Sequence, residues 1–432
     1  MTVRTTSPVT VLGKGNSDPF AVYTVTIGPE ENDLITLYRD YMIPSAYSAE
    51  LGQKHMNFLA SQDWRDSLAA LEDEGAALGT LARYGSIASK YNPRMQRLTY
   101  KYLVQSINVL RTKLSRGHDL QSGADCMHVN MLFAAEAISG NLLGAITHGR
   151  ILLQILQKQW RERKFDYKLL IYQLFIDYQL SSMFVKRMIF DEEEWLERVL
   201  QPVWDAATPH IPIYPRKQLD PCISDEWLRS SFEVKRQQFY FMASRAETLD
   251  ATSHLQLVWM SQMTRGMLFH SRMIDHYLKI GEQLRKPRLS SVEVDELKSQ
   301  QYLALAAAQL DRHVGGHPKI LGVHIYDTSR MTMALKHALE ANDLSSRRAA
   351  SRKYRNAKLW ALYVGAVAET AARSTNTNPS GNWFNETLAC MATAMKIYSW
   401  GDLQPILEGF LYYDGPFYIK RPACFEEGHV DS

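Results

Sequence analysis

The residues with the widest chemical reach in this chain are histidines in two groups: His270, followed closely by Asp275 and His276, and His313, followed by His317 and His324. Imidazoles and a carboxylate are ligands that suit zinc or iron, so the two groups meeting in space would make a metal centre. Helical geometry argues against it. His270 and His276 are six residues apart, which turns them to different sides of one helix, and the intervening glycines leave His313 and His317 without a fixed relation. Nucleophilic chemistry has no better footing, because the chain holds neither a Gly-x-Ser-x-Gly elbow nor a His-Glu-x-x-His pair. The glycine pair in Gly13-Lys14-Gly15-Asn16-Ser17-Asp18 lacks the remaining glycine of a dinucleotide fingerprint and the ending of a phosphate loop. His148, beside Gly149, reads as a buried, hydrogen-bonded histidine. Cys126, Cys222, Cys390 and Cys424 are far apart, form no Cys-x-x-Cys pair and read as reduced thiols. No catalytic, cofactor-binding or metal-ligating residue is therefore expected. A helical metal-dependent enzyme using the histidine and aspartate groups stands as the alternative.

One cluster points to binding. Arg347, Arg348, Arg352, Lys353 and Arg355 fall together, with Arg348, Arg352 and Arg355 on one helical face. A solvated helix start is the plain reading, and a nuclear-import patch or a surface for an acidic partner is the functional one. Acid at 191–194 stands where a helix dipole favours it, at the start of a short helix, and calls for no ligand.

The elements that must carry these residues are helical throughout. The chain has 432 residues, 46% hydrophobic and 22% charged, which describes a folded protein with a large core. Lys and Arg total 49 against 46 Asp and Glu, an excess too small for a nucleic-acid surface. Its first residues lack the apolar run of a secretory signal, and the most apolar stretch, 169–185, is broken by Gln173, Asp177 and Gln179. No membrane span is expected.

In order, residues 1–17 read as a mobile arm, and 18–27 as an extended segment lying across helices. A helix from Asn32 or Asp33 should end at Pro44, and further helices follow around Trp64 and through the Ala-rich run 76–82. Helices are then expected over 94–114 with Gly117 closing the end, 123–138 with Gly140 after it, 141–160, 168–189 and a short one at Trp195. Five prolines mark 202–221 as a long inter-helix loop or a hinge between halves. Helices over 226–249, 254–284 and 291–310 follow, the second with a methionine-rich face that favours core packing over a pocket. A loop over 312–326 precedes a helix at 327–341.

The last stretch, 359–413, holds the most specific pattern. It opens Leu359-Trp360-Ala361-Leu362-Tyr363-Val364-Gly365-Ala366, passes Gly381-Asn382-Trp383-Phe384, reaches Trp400 and closes Ile406-Leu407-Glu408-Gly409-Phe410-Leu411-Tyr412-Tyr413. Two amphipathic helices are implied, with a third helix between them over 383–398. Singly, each aromatic is core; the order of the landmarks carries more. It resembles the C-terminal end of the fungal-specific transcription factor domain, the regulatory region of fungal zinc-cluster (two zinc, six cysteine) regulators. Asp18-Pro19-Phe20, the small-residue helix around Gly79, and the run from Ala145 to Leu152 with His148 and Gly149 resemble the same family. The resemblance spans 18–413, with 414–432 left as a tail. It implies an all-α, irregular array of antiparallel helix pairs, a nuclear location, and a regulatory domain binding a small effector or a DNA-binding protein partner, with oligomer formation open. Six closely spaced cysteines precede the family's domain, yet no cysteine precedes Cys126 here, so no direct sequence-specific DNA binding is expected from this chain. A zinc cluster encoded upstream of Met1, missing from a truncated gene model, is the remaining alternative.

Overall fold

Small residues at helical spacing set the architecture of the first part of the chain. The computed structural model describes residues 23–47, 58–120, 122–191, 195–215, 217–243, 252–314, 319–320, 323–327, 329–345, 353–373, 380–413 and 425. Helix α4 (Glu74–Ala88) is buried along almost its whole length and packs against both α5 (Met95–Ser115) and α6 (Gly123–Ser139). It can do so because Gly75 lies against His128, Gly79 against Met131 and Gly85 against Thr99, where a methyl group would collide. The Ala-rich, close-approach helix expected from sequence is thus present.

The fold is all-α, with sequence-adjacent helices packed as antiparallel pairs. Two compact units make up the chain: Met1–Ile176 with Pro318–Ile325, and Asp177–His317 with Tyr326–Ser432. The first contains α1 (Pro29–Leu37), a π-helical turn (Tyr38–Met42), α2 (Ile43–Ala46), α3 (Phe58–Ala70), α4 to α6, and α7 (Leu142–Arg161). Helix α8 (Tyr167–Phe184) carries the division between Ile176 and Asp177. The second unit continues with α9 (Trp195–Ala207), a 3-10 turn (Thr208–His210), α10 (Glu226–Ala243), α11 (Thr252–Gln283), α12 (Ser291–Val314), α13 (Ser329–Ser345), α14 (Arg355–Arg373), α15 (Trp383–Ala394) and α16 (Trp400–Leu407). Helix α12 packs against α11, α13 and α14, and α14 against α15 and α16.

Several boundaries differ from expectation, each for a local reason. Helix α1 starts at Pro29, capped by Gly28, whose N–H donates to Glu31 Oε2 at 2.9 Å, so the acids of the first turn lie upstream of Asn32. Pro44 does not end the helical path. The intervening π turn has Ile43 N–H bonded to the Tyr38 carbonyl, and Pro44 falls in the first turn of α2, where a missing N–H costs little. Helix α8 stops at Phe184, short of 189, because Val185 takes a left-handed backbone (φ 48°) and the Lys186 N–H returns to the Ser181 carbonyl at 3.2 Å. A β-branched residue rarely adopts that conformation, so no glycine announced this end. Pro202 lies inside α9 on an exposed face, and the whole 202–221 stretch belongs to the second unit. The expected loop over 312–326 instead extends α12 to Val314 and then forms a two-stranded antiparallel ladder with Lys319 opposite His324 and Ile320 opposite Val323. That ladder is the one sheet among the described residues. The arm at 1–17 and the tail at 414–432, apart from Phe425, lie outside the described residues. Residues 23–28 precede α1 without helix, and the Thr24 N–H donates to the Leu71 carbonyl at 3.0 Å.

The expected glycine punctuation is present. Gly117 (φ 72°) and Gly140 (φ 80°) turn left-handed just past α5 and α6, and the His118 N–H returns to the Lys113 carbonyl at 3.1 Å. Between those ends, Lys113 Nζ bridges Asp73 (3.0 Å) and Asp125 (3.1 Å), joining the start of α4, the end of α5 and the start of α6. Burial alone would raise Asp125, but hydrogen bonds from Ser122, His118 and Lys113 outweigh it and hold the carboxyl at about 2. A depressed carboxyl stabilises the fold above its unfolded value near ~4 and loses that contribution as pH falls toward the folded value. Asp125→Asn is therefore expected to cost about 2 kcal/mol at pH 7, with most of that cost gone by pH 2. Urea melts of both proteins across that range check it.

The landmarks of 359–413 converge in the second unit. The Trp360 indole stacks on Phe410 at 5.3 Å between centroids, and its N–H donates to the Leu411 carbonyl at 2.8 Å. Gly365 faces the Phe384 ring so closely that a Cβ there would fall within it. Gly365→Ala must push α15 away from α14, at an expected cost of about 2–3 kcal/mol. A fall in the urea midpoint with an unchanged slope would register it.

Candidate functional site

Among the sequence candidates, Arg347, Arg348 and Arg352 lie outside the described residues. Lys353 and Arg355 are exposed on either side of the buried Tyr354 at the start of α14, with Lys353 Nζ 4.9 Å from the Tyr354 ring centre. The histidines have separate surroundings. His270 is fully buried, whereas His276 faces Asp225 (3.4 Å) and lies 4.6 Å from the Trp227 ring. Asp275 pairs with Arg187 and with Lys279 (2.6 Å), and His313 stands 3.0 Å from the Gln309 amide. His317 lies outside the described residues, as does the side chain of His324. Among the described residues, no three His, Cys, Asp or Glu side chains are grouped to hold a metal ion. His148 is buried, which pushes its imidazole down to about 4, but the expected hydrogen bond at Nδ1 is not found among the described residues. Cys126 and Cys222 are buried and Cys390 is exposed, all as free thiols.

One arrangement absent from the sequence reading brings serine, histidine and aspartate together. Ser182 Oγ is 2.8 Å from His270 Nε2, and His270 Nδ1 is 4.0 Å from Asp311 Oδ2. The likeness to a nucleophilic triad ends with the hydrogen bonds. His270 Nδ1 is 3.1 Å from the Ala308 carbonyl and donates there, while Asp311 is committed to the buried ammonium of Lys235. Neither Ser182 nor His270 has any exposed surface, so neither meets a substrate. Burial, reinforced by Arg312 and Lys235, pushes His270 down to about 3 and keeps the ring neutral. Ser182, His270 and the Ala308 carbonyl fasten α8, α11 and α12 together.

Concave space suited to a ligand lies elsewhere in the second unit. Lys217, Arg236, Phe239, Tyr240, Ala243, Glu408, Phe410 and Tyr412 line a cavity of about 120 Å³. Arg236 is 3% exposed, and its guanidinium donates to the carbonyls of Lys217 (2.7 Å), Glu408 (2.9 Å) and Phe410 (2.6 Å). That fork ties α10 to the segment after α16. At the rim, Lys217 Nζ meets Glu408 at 2.8 Å, and this hydrogen bond holds the Glu408 carboxyl below its usual range. Two cations and one carboxylate give the wall a net positive charge beside four aromatic rings. The volume admits roughly one ring, since a cavity of about 150 Å³ takes benzene. The signal in the sequence was an arginine on the inner face of α10, four residues after Phe232 and three before Phe239.

No protein-family model matches the chain, and neither the curated proteins nor the solved structures contain a match to it.

Proposed function

We propose that this chain is a non-enzymatic, nuclear, transcription-regulator-like protein whose helical domain binds a small effector or a DNA-binding protein partner, and whose 432 residues include no six-cysteine cluster. The observation that supports it is the Arg236 latch. One buried guanidinium holds the carbonyls of 408 and 410 beside a ring-sized cavity, within the segment that bears the landmarks of the fungal regulatory domain. A ligand there touches Tyr240 on α10 and Tyr412 on the C-terminal segment at once. It therefore favours the docked packing of that segment over any looser one, which is the differential affinity that an effector-driven switch requires. The near-neutral balance of +3 accords with DNA being reached through a partner.

The reading is tested in two arms on the full chain. Purified protein is titrated with duplex DNA pools, with only weak, salt-sensitive binding expected; tight binding to one specific duplex without a partner overturns the proposal. Affinity capture from the native cell, followed by reconstitution from purified components, is expected to give a direct complex with a protein that itself binds DNA. Failure of every captured DNA-binding protein to rebind sinks the partner reading.

A further inference from the structure

Arg312, on α12, makes no ion pair among the described residues; the one carboxylate that favours its charge, Asp327, acts from beyond ion-pair distance. Arg312 is 1% exposed, and no carboxylate among the described residues stands within 4 Å of it. Its sequence neighbour Asp311 is turned to Lys235. Among the described residues the one acceptor found for the guanidinium is Gln179 Oε1, 2.6 Å from Nη1. Nε finds none. The engaged nitrogen leaves the Nε and Nη2 edge free, and that edge is the one whose two parallel N–H bonds match the two oxygens of a carboxylate.

Gln179 adds a second, independent observation. The bond from Arg312 fixes its amide orientation, because a flipped amide would set N–H against N–H. Gln179 Nε2 is thereby a donor, it is fully buried, and it too finds no acceptor among the described residues. Unmet donors of this kind are costly in a protein interior, and a buried, uncompensated cation is costlier still. Burial does lower the Arg312 guanidinium to about 10, which leaves it charged at neutral pH. An acceptor-only, negatively charged partner supplies what these donors lack, both the lone pairs and the charge. Water, which must itself find acceptors, leaves the charge unmet.

We propose that Arg312 and Gln179 form a buried binding site for a small carboxylate anion in the second unit, joining the C-terminal half of α8 to the end of α12. The site is separate from the Arg236 cavity and does not depend on the regulatory reading.

The test measures the thermal midpoint of the full chain at pH 7 and fixed ionic strength while chloride is replaced stepwise by formate or by acetate. A ligand that binds only the folded state raises the midpoint in a saturable way. The wild type is expected to gain about 2 °C or more in formate over chloride. Arg312→Met removes the charge and is expected to fold in chloride yet give no response to formate. Gln179→Glu places a carboxylate beside the guanidinium from within the chain; it is expected to melt higher than wild type in chloride and to ignore formate. This variant carries the test should Arg312→Met fail to fold. A wild type equally stable in formate and chloride, or a formate response retained in either variant, overturns the site.

Discussion

Lys235→Met is expected to destabilise the protein by about 3–5 kcal/mol at pH 7, the range for breaking a buried ion pair by removing one partner. Lys235 and Asp311 are 2% and 7% exposed in their side chains, and Lys235 Nζ also donates to Gln238 at 2.7 Å between the rings of Phe239 and Phe269. Burial drags the ammonium down and pushes the carboxyl up, and each group opposes that shift in the other. Without Lys235, Asp311 is an uncompensated buried anion. Its folded-state affinity for a proton then exceeds that of the unfolded chain, so the folded state binds more protons between the two values and stability rises as pH falls. The deficit of the variant should accordingly be greatest near pH 7 and shrink toward pH 4. A double variant, Lys235→Met with Asp311→Leu, removes both charges and should recover most of the loss. Urea melts of all three proteins at pH 7 and pH 4.5 decide it: a Lys235→Met deficit independent of pH would mean that lost packing, and not the orphaned carboxylate, is responsible.

Glu369→Ala should cost a comparable amount, about 3–5 kcal/mol, from the loss of charge-assisted hydrogen bonds that leave buried donors behind. The Glu369 side chain, on α14, has no exposed surface and accepts three bonds: from the Phe384 N–H (2.9 Å), the Asn385 N–H (3.0 Å) and the Asn385 amide (2.9 Å). Phe384 and Asn385 lie in the first turn of α15, whose own cap residue, Asn382, makes no side-chain capping bond. The carboxylate thus caps a neighbouring helix and meets the positive end of its dipole. Glu369→Gln separates the contributions. It keeps one acceptor oxygen but sets an N–H against the backbone N–H of Phe384 or Asn385, so it should recover only part of the loss, the Asn385 amide turning its unpartnered Oδ1 to accept. Amide exchange adds a local readout, in which Phe384 and Asn385 lose protection before the middle of α14 does.

Much of the fold could be read from one helix at a time. The 94–114 period, Gly117 and Gly140 as terminators, and the small residues of α4 each describe a contact between a stretch of chain and water or a single neighbour. Boundaries failed where the determinant was not local chemistry: Val185 ends α8 in a conformation that β-branched residues avoid, and the π turn before Pro44 carries the chain past a proline. For the candidate sites the balance reverses. Three arginines of the basic cluster fall outside the described residues, while Arg236, Glu369, Lys235 and Arg312 drew no particular notice among the charged residues of the chain.

Apolar periodicity and helix punctuation decided that this protein is all-α and roughly where each helix lies, because a 3.6-residue repeat is a property of consecutive residues. Which charges are buried, and against what, was decided only by the packed helices. Lys235 meets Asp311 across α10 and α12, Glu369 finds the start of α15, and Arg312 reaches Gln179 of α8 through Nη1. Each is a long-range choice fixed by desolvation. A charged side chain on a helix looks the same in sequence whether it faces water or the core, and its energy differs by several kcal/mol only once neighbours have excluded the solvent.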